Sequence, residues 1–135
     1  MAIERFEDLK SWQEARKLEQ MVYRLTAREG FKGDRGLAWQ LQEAAVSAMG
    51  NIAEGHGRYS FEEKRRFLDF ARGSCKEAQS HLYVALDQAY IGQAEFDEAY
   101  HQAEAVAQLI NGAVENLLRQ IARRPHANTV RRRRS

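Results

Sequence analysis

Proline occurs once, at Pro125, close to the C-terminus. Proline lacks an amide proton and its ring strikes the preceding helical turn, so the sequence ahead of it carries none of the residue most damaging to helices. Cysteine is equally scarce. Cys75 has no second cysteine to bridge to, and no Cys/His cluster has ligand spacing, which excludes a disulfide scaffold and a structural zinc site. No apolar run approaches the ~20 residues that cross a bilayer, and Met1 leads into polar sequence rather than a signal peptide. The expectation is a cytoplasmic protein with no membrane partner. Alternating strand patterns are also missing.

What remains is helical periodicity, in 135 residues that suit a single core. A first helix over about 7–29 gathers Trp12, Ala15, Leu18, Met21, Val22 and Leu25 on one side and Arg16, Gln20, Arg24 and Arg28 on the other. Gly30 is expected to end it, and Asp34 to cap a second helix over about 35–54. A third helix over about 61–91 buries Phe67, Leu68, Phe70, Ala71, Cys75, Ala78, Leu82 and Ala85, with Gly92 ending it. The fourth, about 95–122, places Phe96, Tyr100, Ala103, Ala107, Ile110, Val114, Leu117, Leu118 and Ile121 on one side. Short connections force antiparallel neighbours, so the fold expected is an all-α, up-down-up-down four-helix bundle over residues 1–122, with a disordered basic tail over 123–135.

Between the second and third helices the chain concentrates glycine in Gly50-Asn51-Ile52-Ala53-Glu54-Gly55-His56-Gly57-Arg58. Gly55 and Gly57 are expected to supply positive-φ residues that end one helix, and Ser60 with Glu63 a capping box that starts the next. Asn51, Glu54, Gly55, Gly57, Ser60, Glu63 and Glu77 are read as an architectural corner. The second helix carries two apolar stripes: Leu37, Leu41, Ala44, Ala48 and Ile52 for the core, and Trp39, Val46, Met49 and Ala53 nearly opposite. One bundle core cannot take both, so the second stripe predicts a homo-oligomer interface.

Charge is divided along the chain. Residues 1–122 hold 15 Lys and Arg against 19 Asp and Glu, a net charge of −4, while residues 123–135 carry six arginines and no acid. Glu77–Leu118 contains seven acids and no Lys or Arg; Arg58–Lys76 contains six Lys and Arg and three acids. Arg16, Arg24, Arg28, Arg58, Lys64, Arg65, Arg72 and Lys76, with Arg131, Arg132, Arg133 and Arg134 of the tail, are candidate phosphate contacts, and RNA or DNA is the partner they imply. Acids interleave with the body's bases, so the tail carries most of this argument. Glu54 beside His56 is an acid–base pair in kind, but nothing in the sequence supplies a pocket, and Glu54 is placed to pair with Arg58. His81 and His101 belong to no Glu-x-x-His pair of the sort that builds metal centres in bundles. The reading is a non-enzymatic protein with no metal and no cofactor.

Phe6-Glu7-Asp8-Leu9-Lys10-x-Trp12, Ala48-x-x-Asn51-Ile52-Ala53-Glu54-Gly55-x-Gly57-Arg58, Glu63-x-x-Arg66-Phe67-Leu68 and Ala71-x-Gly73-Ser74-x-x-Glu77 together resemble the four-helix-bundle proteins encoded in intervening sequences of bacterial large-subunit rRNA genes. That family includes the accessory variability protein of diversity-generating retroelements. The resemblance runs over about residues 5–120 and implies a ring- or barrel-like homopentamer. In the retroelement branch it further implies binding to a reverse transcriptase and to nucleic acid through a basic surface. The family brings no active site, and Asn51, Glu54, Arg58, Ser74 and Glu77 match as architectural residues. A neighbouring reverse-transcriptase gene would mark the retroelement branch; placement inside an rRNA gene would mark the other, and the alternative reading is then a protein-interaction scaffold of unknown role.

Overall fold

A computed structural model describes residues 5–123. Among them the chain forms four α-helices, α1 (Lys10–Thr26), α2 (Arg35–His56), α3 (Phe61–Asp87) and α4 (Gln93–Ala122), with short 3₁₀ segments at Phe6–Asp8 and Glu29–Gly33, and no strand. Cross-helix hydrogen bonds fix the directions. Gln42 of α2 donates to Thr26 at the end of α1 (3.0 Å), Ser74 of α3 to Ser47 of α2 (2.9 Å), Lys76 of α3 to Glu104 of α4 (2.9 Å), and Gln102 of α4 to the Glu14 carbonyl of α1 (2.8 Å). Along neighbouring helices the partners run in opposite order, Lys64–His56 then Ser74–Ser47 for α3 on α2 and Lys76–Glu104 then Gln79–Tyr100 for α3 on α4, which is the antiparallel bundle that the periodicity predicts.

The core fills from the stripes read in the sequence. Ala15, Leu18 and Val22 of α1, Leu37, Leu41, Ala48 and Ile52 of α2, Ala71, Cys75, Ala78 and Leu82 of α3, and Ala103, Ala107 and Ile110 of α4 are buried. Alanine is frequent at these positions, so the helices sit close and the large side chains, Phe31, Leu18, Leu41 and Ile52 among them, occupy the remaining space. Two apolar positions depart from expectation: Phe70 is 46% exposed and Leu118 40% exposed, because each lies at the edge of its stripe and turns outward.

The helix ends also correct the sequence reading. α1 stops at Thr26 and α3 at Asp87, earlier than the periodicity suggests. No described glycine has positive φ, so Gly55 and Gly57 do not end α2 in the left-handed conformation; Gly57 sits at φ −80°. Gly55 matters for another reason. A Cβ there would lie 3.1 Å from Phe67 Cβ and 3.3 Å from the Lys64 carbonyl oxygen, so glycine lets α3 approach α2 closely at the corner. Gly30 works similarly, with Tyr90 3.0 Å from where its Cβ would stand, and belongs to the 3₁₀ segment rather than to the end of α1. The left-handed residue is Ala89 (φ 59°), which ends α3 with Ala89 N–H bonded to Leu86 O and Tyr90 N–H to Ala85 O, both 2.9 Å. Gly92 instead precedes α4, where its N–H donates to the Glu95 carboxylate at 2.9 Å. Asp34 caps α2 as predicted, accepting from Leu37 N–H at 3.2 Å, and its other carboxylate oxygen accepts from Tyr90 OH at 3.0 Å.

Candidate nucleic-acid interface

The α2–α3 corner is built as an architectural joint. Ser60 Oγ accepts from Glu63 N–H at 3.1 Å, while the Glu63 carboxylate accepts from Arg66 at 3.4 Å, so the capping box is present by its serine half. Glu54 accepts from Arg58 at 3.1 Å, and the Arg58 guanidinium lies 4.6 Å from the centre of the Phe67 ring. Lys64 Nζ donates to the His56 carbonyl at 3.0 Å, covering a carbonyl that the end of α2 leaves without a helical partner. Asn51 donates to Ser47 O and Oγ, and Ser47 in turn meets Ser74 across the helix pair. Glu77 does not belong to this joint. It lies sixteen residues beyond Phe61 in α3, and its nearest ionic neighbour is His81 at 3.4 Å, a contact with no counterpart in the sequence reading.

The candidate phosphate contacts scatter over the bundle, and most are engaged. Arg58, Lys64 and Arg65 gather at the corner, with Arg65 3.9 Å from Asp69. Arg16 lies on α1 with its guanidinium 5.9 Å from the Trp12 ring. Arg24 and Arg28 sit at the opposite end of the bundle, where Arg28 pairs with Glu95. Lys76 crosses to Glu104, whose carboxylate also accepts from Gln79 and Gln108 at 3.0 and 2.9 Å. These donors, Lys76 foremost, hold the Glu104 carboxyl down to about 2. Glu14 is likewise held below the usual carboxylate range, by Lys17 at 2.8 Å and then by Gln102. Arg72 is exposed and has no ion-pair partner among the described residues. Arg131, Arg132, Arg133 and Arg134 lie outside the described residues.

A cleft of about 480 Å³ opens at one end of the bundle, where α1 and α3 begin and α2 and α4 finish. Sequence reasoning missed it because Leu9 and Ser11 at the start of α1 and Asn116 and Gln120 of α4, a hundred residues apart, line it together with His56 and Lys64. Tyr59, at the same end, is fully exposed. Its one legible signal was its place between Arg58 and Ser60 in a turn. The second stripe of α2 stays largely outside the core: Trp39 is 62% and Val46 45% exposed, while Met49 and Ala53 are half-buried, Met49 against the core around Ala48 and Ile52. Cys75 is fully buried and burial pushes its thiol up to about 11, the behaviour of a core residue. Among the described residues no group of three or more His, Cys, Asp and Glu could hold a metal ion, and no helix is long and apolar enough to cross a membrane.

The fold and the corner define an antiparallel four-helix-bundle protein whose sequence-specific joint lies between α2 and α3. The family model of the 23S rRNA-intervening sequence protein matches residues 7–112, spanning that joint and most of all four helices, and the chain belongs to that family. No curated protein matches the chain.

Proposed function

We propose that this protein is a non-enzymatic nucleic-acid-binding accessory protein that works as a homo-oligomer, after the pattern of the retroelement accessory variability proteins its sequence resembles. The observation that carries the reading is where the bundle ends. α4 finishes beside the corner bearing Arg58, Lys64 and Arg65, with Arg119 in its last turn and Arg123 at its C-cap, and the sequence beyond Arg123 adds five arginines and no acid. Cations from separate parts of the chain therefore start from one end of the molecule, and a polyanion is the partner such an end attracts. At the far end Arg24 and Arg28 stand among Glu95, Asp97 and Glu98, with Arg28 paired to Glu95.

The exposed Trp39 and Val46 support the second part of the reading, a surface shared with further copies of the chain. On the retroelement branch the protein partner is a reverse transcriptase. The same stripe also serves the alternative, an rRNA intervening-sequence protein acting as a protein-interaction scaffold, and nucleic-acid affinity separates the two. Fluorescence anisotropy with labelled structured RNA and duplex DNA should register binding that weakens by about 500-fold between 50 and 200 mM salt if five arginine contacts form on a duplex. Deleting residues 123–135 should flatten that dependence, and no binding at low salt overturns the proposal in favour of the scaffold. For the oligomer, light scattering should give a multiple of 15.6 kDa, five-fold on the family pattern, that falls to the single-chain mass in Trp39→Glu/Val46→Glu. A wild-type protein already monomeric at micromolar concentration would remove that part of the reading.

A further inference from the structure

The end cleft has the size and lining of a ligand site. Its volume of about 480 Å³ falls within the range of small-molecule clefts, about 300–1,000 Å³. Leu9, Ile52, Phe61, Leu68 and Leu117 give it apolar walls. Ser11 lines it at 9% exposure, yet its hydroxyl has no hydrogen-bond partner among the described residues. The hydroxyl is not enclosed by protein and opens onto the cleft, so it is available to a polar atom of an occupant. Asn116 and Gln120, one turn apart on α4 and exposed at the cleft rim, present side-chain amides that make no hydrogen bond to other described residues. Lys64 gives one proton to His56 O and keeps two more.

A purely aliphatic ligand would leave the hydroxyl and both amides unanswered, and a bare phosphate would leave the apolar walls unanswered. A nucleobase satisfies both, with flat faces for the leucines and Phe61 and a donor–acceptor edge for Ser11, Asn116 and Gln120. Its phosphate would meet the cations of that end, Lys64 and Arg58 first. Resting on the nucleic-acid reading above, we infer that this cleft holds the base of an unpaired nucleotide, so that the preferred ligand is a single strand or a loop rather than a closed duplex.

The test is anisotropy with the full chain and two labelled twelve-nucleotide strands of equal phosphate charge, one with bases and one abasic throughout, at low salt. The base-bearing strand should bind at least tenfold tighter. Asn116→Ala/Gln120→Ala should remove most of that difference without changing the affinity for the abasic strand, and Ala113→Leu, which fills the cleft from α4, should do the same. Circular dichroism confirms that each variant is helical, and if one fails to fold the other still decides. Equal affinity for both strands overturns the cleft as a base site and leaves phosphate binding standing. A tenfold difference that survives in the folded variants also overturns it, because the bases are then read elsewhere. Absence of binding by either strand removes the nucleic-acid reading together with this inference.

Discussion

Replacing Gly55 with alanine is expected to lower stability, whereas the same replacement at Gly112 is expected to raise it. Both glycines lie inside helices, where alanine is favoured by about 0.5–1 kcal/mol for its smaller loss of backbone freedom. At Gly112 an added methyl meets nothing within 4 Å, so that gain should appear almost whole. At Gly55 the methyl would stand 3.1 Å from Phe67 Cβ and 3.3 Å from the Lys64 carbonyl oxygen. The carbonyl belongs to the first turn of α3 and cannot swing aside as a side chain would. Overpacking of this kind costs about 1–3 kcal/mol, so Gly55→Ala should come out between neutral and about 2 kcal/mol destabilising. The two variants should then differ by about 1–3 kcal/mol, or roughly 4–12 °C in Tm for a domain of this size. Urea titration followed by circular dichroism measures the difference, at one protein concentration because self-association would move the midpoint. If Gly55→Ala proves as stabilising as Gly112→Ala, close helix approach is not what requires glycine at the corner.

Glu104→Gln should cost about 1–2 kcal/mol at pH 7, less than its lowered pKa taken at face value because the side chain is 35% exposed. The carboxyl titrates at about 2 in the folded protein against 4.5 as its ordinary value, so its contribution is complete above pH 4.5 and disappears as pH falls toward 2. Wild type and variant should therefore converge in acid, and a gap that stays constant from pH 7 to 2 would contradict the assignment. Cys75 should react with a thiol reagent at least 100-fold more slowly in native protein than in urea, since attack needs an exposed thiolate; equal rates would mean the α3 core opens freely. Ala89→Gly should add about 0.5–1 kcal/mol, measured by thermal melting, because glycine relieves the left-handed conformation that alanine adopts at φ 59°. A loss of stability there would indicate that the Ala89 methyl packs more strongly than its backbone is strained.

Much of the fold was legible because a helix repeats its environment every few residues. Leu37, Leu41, Ala48 and Ile52 announce the buried side of α2, and Asp34 and Ser60 announce helix starts through hydrogen bonds that span only three residues. The family could be read from the α2–α3 segment for the same reason, its residues being close in sequence. The roles of the glycines could not. Glycine both permits left-handed backbone and permits close approach, and sequence does not distinguish them, so Gly55 was assigned the first role while it serves the second, and the left-handed position fell to Ala89.

The candidate site divides along the same line. Charge composition alone identified the arginine-rich tail and the acidic stretch from Glu77 to Leu118, because net charge is additive and needs no coordinates. Which bases share an end, which are consumed by Glu54, Asp69, Glu95 and Glu104, and which distant residues enclose the end cleft depended on antiparallel packing. Periodicity is a local property, written residue by residue. The meeting of Ser11 with Asn116 and Gln120 arises from the register between α1 and α4, which the whole core sets at once, and only the tertiary structure decides it.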